Sequence, residues 1–574
     1  MSPAPADRQR LYVAVTAHRD LVEGEIRGIE AAVKRCFDEL TESFPDLPLC
    51  LLSPLAEGGD RLAARVALRM GIPVIAVLPM EQGEYERDFE RPGSLDDFRA
   101  LLEQTEQRLV LPAAPGNGEA PFDGAPRTVQ YAQLGVFMSN HCQVLLALWD
   151  GKDSARLGGT GQVVRFHLTA VMPGFEADSS PASLLAENEN DLVFHVVCSR
   201  DRPDGAPRAD LKALDAAWFT SRDDGARQAH LPADYRILLE RLQRFVRDSR
   251  DKAEEIALNS GGLLERAPEL PLPSGAALTE RLFRTADGLA VHYQKRVHAG
   301  LRAIHVLAVL MGLVFLVYTE FDAPDVLVLV FLGLFFAGVA LHYTGESREW
   351  HRKYLDYRAL AEGLRVQFYW NLAGVVHPVS AEFAYDNFLQ QQDTDLGWIR
   401  HVMRLASLYR TRGDVPREEW LHWVVDEWVG DAAGGRGQLA YYGYKERVNS
   451  ARHRRTSLLG TLCLWSGIAI AILLFLTGSA GQTGIRQGLL IAMGVLPLIA
   501  GVWDAYSHKR AEKELIKQYA FMGRVFRKAR RLIDSSPDIV FRRRVLKALG
   551  QAALDEGAEW LLMHRERPLE PGSL

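Results

Sequence analysis

The sequence has little of what marks secreted, metal-binding or nucleic-acid-binding proteins. It contains five cysteines in 574 residues, without the paired spacing of a metal site, and such an odd, scattered set is typical of a reducing compartment. Acidic residues outnumber basic ones, and the formal net charge of -6 argues against a nucleic-acid partner. The opening segment MSPAPADRQRLYVAV has no apolar run after its basic residues, so we expect no cleavable signal.

Four long apolar runs decide the class of the chain. They occupy residues 303–319, 326–343, 457–477 and 488–503. Each approaches the roughly 17 to 25 residues that a helix needs to cross the hydrocarbon core of a bilayer. The mean hydropathy of the whole chain is -0.08, which is too polar for a protein that lies mostly within a membrane. The sequence therefore predicts a membrane protein with four transmembrane helices in two hairpins and most of its mass in the cytosol.

Basic residues at the ends of the hairpins predict their orientation. They are Lys295, Arg296, Arg302, Arg348, Arg352 and Lys353 around the first hairpin, and Lys445, Arg447, Arg452, Arg454, Arg455, Lys509, Arg510 and Lys513 around the second. The turn of the first hairpin instead contains Glu320, Asp322 and Asp325. By the positive-inside rule both turns face outward. We predict a multi-pass protein of the inner (cytoplasmic) membrane with both termini cytoplasmic; two buried hairpins of a soluble protein are the alternative.

Residues 11 to about 200 have the pattern of an α/β domain. The predicted strands are 11–15, 48–53, 73–78 and 144–148, and the predicted helices are 22–40, 61–70 and 162–170. Strands that alternate with helices at this pitch favour a parallel, doubly wound sheet. The sequence thus predicts an α/β cytosolic domain joined to an all-α membrane region.

Three strand ends of this domain carry residues suited to a phosphate or nucleotide site. The candidates are Thr16, His18 and Arg19 after the first strand, Gly58, Gly59, Asp60 and Arg61 after the second, and Asp150, Gly158, Gly159, Thr160 and Gly161 after the last. Ligands of open α/β sheets bind at the carboxyl ends of strands, where glycines let the backbone approach and helix N-termini present free N–H groups to anions. Both glycine pairs open helices, so we predict that both face the ligand.

The glycine pairs have a second interpretation. A Gly-Gly pair before a helix is also typical of a plain tight turn. Two pairs at strand-to-helix junctions of one domain, with Arg19, Arg61 and Lys152 nearby, favour a ligand site. Asp60 and Thr160 are equally candidates for helix N-caps, a role that is compatible with lining a pocket.

Three segments of the domain carry a family resemblance. VTAHRDL, SPLAEGGDRLAARVALRMGIPVIAVLP and LLALWDGKDSARLGGTGQVVRF resemble the SLOG superfamily, a Rossmann-like group of nucleotide sensors and nucleotide-processing enzymes. The resemblance implies a pocket for a nucleotide or nucleotide-derived ligand, lined by the glycine-rich turns, with no other cofactor. The related Lonely Guy phosphoribohydrolases carry PGGxGTxxE, whose glutamate serves hydrolysis, whereas this chain reads LGGTGQVVRF. The missing acid favours a sensor over an enzyme.

The membrane region carries a second resemblance. HRKYLDYRALAEGLRVQFYWNLAG, QLAYYGYKERVNSARHRR, EKELIKQYAFMGRVF and EWLLMHRERPLE are similar to segments of the SLATT proteins, two-helix membrane modules of bacterial conflict systems. The resemblance implies a pore that leads to cell death or dormancy. Here the module is doubled or split, with one hairpin on each side of a cytosolic insert. Four apolar helices make a thin channel wall, so we expect a homo-oligomer.

These patterns predict six regions. They are a SLOG-like domain (1–200), a connecting region (201–285), the first hairpin (286–372), a helical insert (373–440), the second hairpin (441–530) and a C-terminal helical segment (531–574). The predicted function is a membrane effector in which the SLOG-like domain senses a nucleotide-derived ligand and controls a pore, in bacterial defence or stress. A membrane-anchored nucleotide hydrolase or glycosidase, with His18, Asp20 and Asp150 as acid or base groups, is the alternative, and a membrane-tethered scaffold is another.

Overall fold

The chain folds into two compact units. The computed structural model describes residues 9–114, 116–118, 120–153, 156–173, 190–222, 225–273, 275–320, 324–375, 388, 396–408, 417–431, 435–477 and 483–565. The α/β unit contains the chain up to Ala253 together with Glu269–Leu282 and Gly363–Arg417. The helical unit contains Glu254–Pro268, Phe283–Glu362 and the chain from Glu418 onward.

The α/β unit is built on one seven-stranded sheet. Its strands are β1 (Leu11–Ala17), β2 (Leu49–Ser53), β3 (Val74–Leu78), β4 (Gln107–Val110), β5 (Val144–Trp149), β6 (Val193–Val197) and β7 (Ala216–Phe219). The order is β4-β3-β2-β1-β5-β6-β7, and every pair is parallel except β6 with β7. β1, β2, β3, β5 and β6 are apolar and largely buried because helices cover both faces of a parallel sheet. The parallel α/β sheet is confirmed, and it continues past the predicted boundary at residue 200.

In the described part of the chain before the membrane region, seven helices connect and cover these strands. They are α1 (Ile26–Ser43), α2 (Gly59–Arg69), α3 (Gln82–Tyr85), α4 (Ser94–Glu103), α5 (Ala125–His141), α6 (Thr160–Thr169) and α7 (Ala233–Asp251). In α1, Ile29, Val33, Phe37 and Leu40 are buried on one face, which is the spacing that predicted this helix.

Part of the segment between the hairpins belongs to the core of the α/β unit. Helix α12 (Gly397–Leu408) is buried along its whole length, and Leu405 and Leu408 join the apolar cluster that contains the sheet residues. The Ser407 hydroxyl lies 3.2 Å from the Nε2 atom of His141 in α5. This segment is therefore part of the α/β fold, although it follows two candidate spans in the sequence.

The helical unit contains the four predicted spans. Its helices, numbered in chain order around α12, are α8 (Ala253–Asn259), α9 (Ala276–Glu320), α10 (Val326–Ser347), α11 (Trp350–Ala373), α13 (Glu418–Val424), α14 (Gly437–Thr477), α15 (Thr483–Lys509), α16 (Glu512–Asp534) and α17 (Ile539–Arg565). Four of them, α9, α10, α14 and α15, are long and apolar enough to cross a membrane. The division into units falls within α9 and α11. Asp322, in the predicted outer turn, lies outside the described residues.

Small residues let the candidate spans pack closely within the helical unit. A Cβ added to Gly312 in α9 would lie 2.2 Å from the Leu498 Cδ2 atom in α15, and one added to Gly494 in α15 would lie 2.9 Å from Leu316 in α9. Gly467 in α14 packs in the same way against Pro497. Close approach through small residues is how helices associate in lipid, because apolar burial alone gives no driving force there.

This packing predicts a difference between two glycine variants. We expect Gly312→Val to lower the melting temperature of the detergent-solubilised protein by about 2 to 5 °C, because overpacking costs roughly 1–3 kcal/mol. Gly333→Val in α10 is the matched control, since a Cβ there has open space around it. Differential scanning fluorimetry of both variants measures the effect. Equal melting of the two variants would contradict the α9–α15 contact.

Candidate functional site

The sheet order places a crevice between β1 and β5. Strands β1 to β4 extend in one direction from β1, and β5 to β7 extend in the other, so the two neighbouring strands β1 and β5 start opposite halves of the sheet. Connections then leave the carboxyl ends of β1 and β5 on opposite sides, and ligands of open α/β sheets bind in the crevice at this point. Thr16, His18, Arg19 and Asp150 all lie at these two strand ends.

Two helices begin against the end of β1. The Gly59 N–H at the start of α2 donates to the His18 carbonyl oxygen at 3.0 Å. The Thr160 hydroxyl at the start of α6 donates to the Ala17 carbonyl oxygen at 3.0 Å. The structure therefore brings both glycine-rich turns to two consecutive residues at the end of β1, Ala17 and His18.

Close packing explains the glycine pair at the start of α2. Gly58 has a φ of +79°, and a Cβ on it would lie 2.4 Å from the Arg19 carbonyl oxygen. A Cβ on Gly59 would lie 2.4 Å from the Ala17 Cβ atom, which is a steric clash. These glycines let α2 pack against the β1 loop, a steric requirement of the fold. Asp60 and Thr160 were candidates for helix N-caps, but the N-cap residues are Gly58 for α2 and Gly159 for α6.

A cavity of about 940 Å³ opens at this point of the α/β unit. This volume falls in the range of roughly 300–1,000 Å³ that is usual for ligand pockets. Of the predicted site residues, the cavity is lined by Thr16, His18, Arg19, Asp60, Asp150, Gly158, Gly159, Thr160 and Gly161. Gly58, Gly59 and Arg61 lie behind this lining.

Arg61 has a structural role instead of a ligand-facing one. The residue is 4% exposed. Its Nε donates to the Leu55 carbonyl oxygen at 3.0 Å, and Nη1 donates to the Ser94 carbonyl oxygen at 2.9 Å and to Asp97 at 3.1 Å. The guanidinium carbon also lies 4.7 Å from the centre of the Phe89 ring. Through these contacts the Arg61 guanidinium lies between α2 and α4 and does not face the cavity.

The cavity lining is basic in balance. It contains Arg19, Arg91, Arg127, Lys152, Arg156, Arg200 and Arg202 against Asp20, Asp60, Asp88, Asp150 and Asp153. Asp20 accepts two hydrogen bonds from Arg200, at 2.8 and 3.0 Å. Asp88 accepts one from the Arg127 Nε at 3.0 Å. An excess of positive charge in a concave site attracts anions.

His18 and Asp150 contact each other across the two strand ends. The Asp150 backbone N–H donates to the His18 Nε2 at 3.2 Å, and the Asp150 Oδ1 lies 3.2 Å from the same nitrogen. Burial lowers the pKa of His18, although the Asp150 carboxylate opposes this effect. The Nε2 atom therefore lies within hydrogen-bond distance of both a donor and an acceptor of Asp150.

Asp60 has a buried oxygen atom without a hydrogen-bond partner. It is 5% exposed, and its Oδ1 atom has no hydrogen-bond partner. Burial raises the pKa of Asp60 to about 8, while the positive charges of Arg19 and Arg61 act in the opposite direction. The carboxyl group is therefore protonated at neutral pH and does not repel an anion.

Tyr131 was missed by the sequence reasoning. It lies on α5, lines the cavity beside Gly158, and has a hydroxyl that is buried without a hydrogen-bond partner. The Arg19 guanidinium carbon lies 5.6 Å from the centre of the Tyr131 ring. The sequence signal is faint because α5 precedes β5 and carries no glycine-rich motif. Arg91, Arg127, Arg200 and Arg202 reach the cavity from loops and helices that no motif marks.

Within the described ranges, no three His, Cys, Asp or Glu side chains are grouped so that they could hold a metal ion. The sequence matches no protein-family model and finds no significant match among curated proteins.

Proposed function

We propose that this chain is a membrane effector whose α/β unit binds a nucleotide-derived ligand and thereby controls the four candidate transmembrane helices. The observation that carries the proposal is the basic cavity at the carboxyl ends of β1 and β5, flanked by the N-terminus of α6. Free N–H groups at a helix start and excess positive charge together favour a phosphate-bearing ligand. The resemblance to SLOG sensors and SLATT membrane modules agrees with this function.

The N-terminus of α6 is the better of the two anion-binding positions. The Gly59 N–H at α2 and the Gly159 N–H at α6 are both used, by the His18 and Arg156 carbonyl oxygens, but Gly58 and Gly59 lie behind the cavity lining. At α6, the turn that contains Gly158, Gly159 and Thr160 lines the cavity. The helix dipole adds a favourable interaction of up to about 1 kcal/mol at such a position. We therefore place the phosphate of the ligand at α6.

The membrane part of the proposal rests on composition and packing. α9, α10, α14 and α15 present large apolar side chains at their surfaces, as a lipid environment requires, among them Phe315, Phe336, Leu458 and Phe475. We propose an inner-membrane protein with cytoplasmic termini, in which several copies build a pore in bacterial defence or stress. Helices α9 and α11, which have residues in both units, are the candidate couplers. A ligand shifts such an equilibrium only if it binds one state more tightly.

The contact between His18 and Asp150 keeps an enzyme as a second candidate. Both residues line the cavity, where a hydrolase or glycosidase would need its acid and base. Their engagement argues for the sensor: His18 Nε2 accepts from a backbone N–H, Asp150 Oδ1 accepts from the Lys152 N–H at 3.1 Å, and Asp20 is paired with Arg200. These neighbours hold the two carboxylates in place and compete with a substrate for them, which favours the sensor.

Nucleotide binding without turnover is the expected result. The full-length protein in detergent is titrated with the four ribonucleoside 5′-monophosphates, and each mixture is analysed by mass spectrometry after incubation. Saturating ligand at about 100 times its Kd stabilises the folded state by about 2.7 kcal/mol, so the melting temperature rises by several degrees. Release of base or phosphate, lost in His18→Gln, would instead identify the enzyme. No binding of any of the four would contradict the proposal.

A further inference from the structure

Asp60 combines features that a purely structural carboxyl group lacks. It is nine-tenths buried, lines the cavity, and leaves Oδ1 without a hydrogen-bond partner. A buried polar atom without a partner costs roughly 1–3 kcal/mol, so native proteins rarely keep one. Asp60 makes no ion pair of 4 Å or less with Arg61, whose guanidinium is bound to Leu55, Ser94 and Asp97. The partner of Oδ1 is therefore expected in the ligand.

The surroundings of Asp60 fit a planar, aromatic ligand group. Pro54, Ala56 and Tyr85 line the cavity along with Asp60. The centres of the Tyr85 and Tyr131 rings are 6.3 Å apart, and Tyr131 brings a second unpartnered polar atom, its hydroxyl. Aromatic and apolar walls with a few polar atoms are typical of sites that bind a nucleobase.

We propose that Asp60 recognises the nucleobase of the bound ligand through a hydrogen bond between Oδ1 and the polar edge of the base, with the Tyr131 hydroxyl as a further partner on the same ligand. This inference rests on the proposed function, since it names the part of the nucleotide that the α2 side of the cavity takes. In this assignment the phosphate occupies the part of the cavity near α6, and the base occupies the part near Asp60.

The protonated state of Asp60 removes an objection to this assignment. An ionised carboxylate would repel a phosphate ligand that shares the same cavity. Because burial holds the pKa of Asp60 near 8, the neutral carboxyl group predominates at pH 7. A neutral carboxyl group can donate from one oxygen and accept at the other, as an amide does.

Three variants of the full-length protein test the assignment. The probes are the four ribonucleoside 5′-monophosphates and ribose 5-phosphate, measured by isothermal titration calorimetry in detergent. Asp60→Ala should weaken the tightest-binding nucleotide by about tenfold or more and leave ribose 5-phosphate within about twofold, because the latter has no base. Asp60→Asn offers a donor and an acceptor in the same space and should stay within about threefold of wild type. Tyr131→Phe should show a smaller loss than Asp60→Ala.

The outcomes separate the assignment from the function on which it rests. Asp60→Asn keeps an acceptor for the Ala56 N–H and should melt at the wild-type temperature without ligand, which checks folding. Equal nucleotide affinity in wild type and Asp60→Ala would overturn the role of Asp60 and leave the proposed function intact. Equal weakening of ribose 5-phosphate would assign Asp60 to the sugar and overturn base recognition. Absence of nucleotide binding in the wild type would overturn the proposed function and this inference together.

Discussion

The Gly159→Asp variant is expected to lose nucleotide binding by a factor on the order of 100 or more. Gly159 is the N-cap of α6 and lines the cavity where we place the phosphate. An added carboxylate would occupy this space, and two like charges about 4 Å apart repel by roughly 4 kcal/mol at the effective dielectric of a protein surface. Calorimetry with the tightest-binding ribonucleoside 5′-monophosphate measures the loss.

Gly159→Asn is the matched control for this prediction. Gly159 has the extended backbone of an N-cap, with φ -76° and ψ 159°, and both Asp and Asn are favoured at that position. Both variants should therefore fold and cap α6, while only the aspartate adds charge. We expect Gly159→Asn to bind at least tenfold more tightly than Gly159→Asp. Wild-type affinity in the aspartate variant would exclude this turn from the site.

Gly59→Asp would not serve the same purpose. Its Cβ would approach the Ala17 Cβ atom to 2.4 Å, so the packing of α2 against β1 must change whatever the ligand does. The sequence motif treats the two glycine pairs as equivalent, whereas in the structure only the pair at α6 lines the cavity. The difference depends on which helix start faces the crevice, and no local pattern contains that information.

The strands that the sequence predicted are those with simple local signals. The apolar runs of β1, β2, β3 and β5 are confirmed as strands because both faces of a central parallel strand are covered. β4 is an edge strand with exposed or half-exposed Gln107 and Arg108, so its pattern carries no continuous apolar run. The four candidate spans are also confirmed as long apolar helices, since hydropathy and length are properties of the sequence alone.

The cavity was predictable at the level of strand ends and less so at the level of side chains. His18, Arg19 and Asp150 line it because the carboxyl ends of β1 and β5 meet there. Arg61 was predicted to face the ligand from its position next to the glycine turn, yet its long side chain reaches Ser94 and Asp97 instead. Sequence position fixes the backbone of such a residue, while the direction of a flexible side chain depends on partners that lie far away in the chain.

The position of α12 decides which variants can test ligand control of the candidate transmembrane helices. The predicted insert between the hairpins contains α12, which is buried in the α/β unit and contributes Leu405 and Leu408 to its core. A chain that begins at Ala286 would lose the sheet but keep α12, and its apolar face would be exposed. Any change in dye release by such a protein could result from misfolding instead of from loss of ligand control. A point variant of the complete chain, which keeps α12 in its place, is the better control for ligand dependence.

Liposomes that contain the full-length protein are expected to release a small trapped dye only when the nucleotide is present, with a rate increase on the order of tenfold or more. A tenfold change requires only that the ligand bind the open state a few tens of times more tightly than the closed one. Gly159→Asp liposomes should stay sealed at the same nucleotide concentration, because the phosphate position is lost while all four candidate spans are unchanged. Gly159→Asn liposomes should leak at higher nucleotide concentrations. Sealed liposomes of the nucleotide-saturated wild type that consume the nucleotide would refute the pore and favour the membrane-anchored hydrolase.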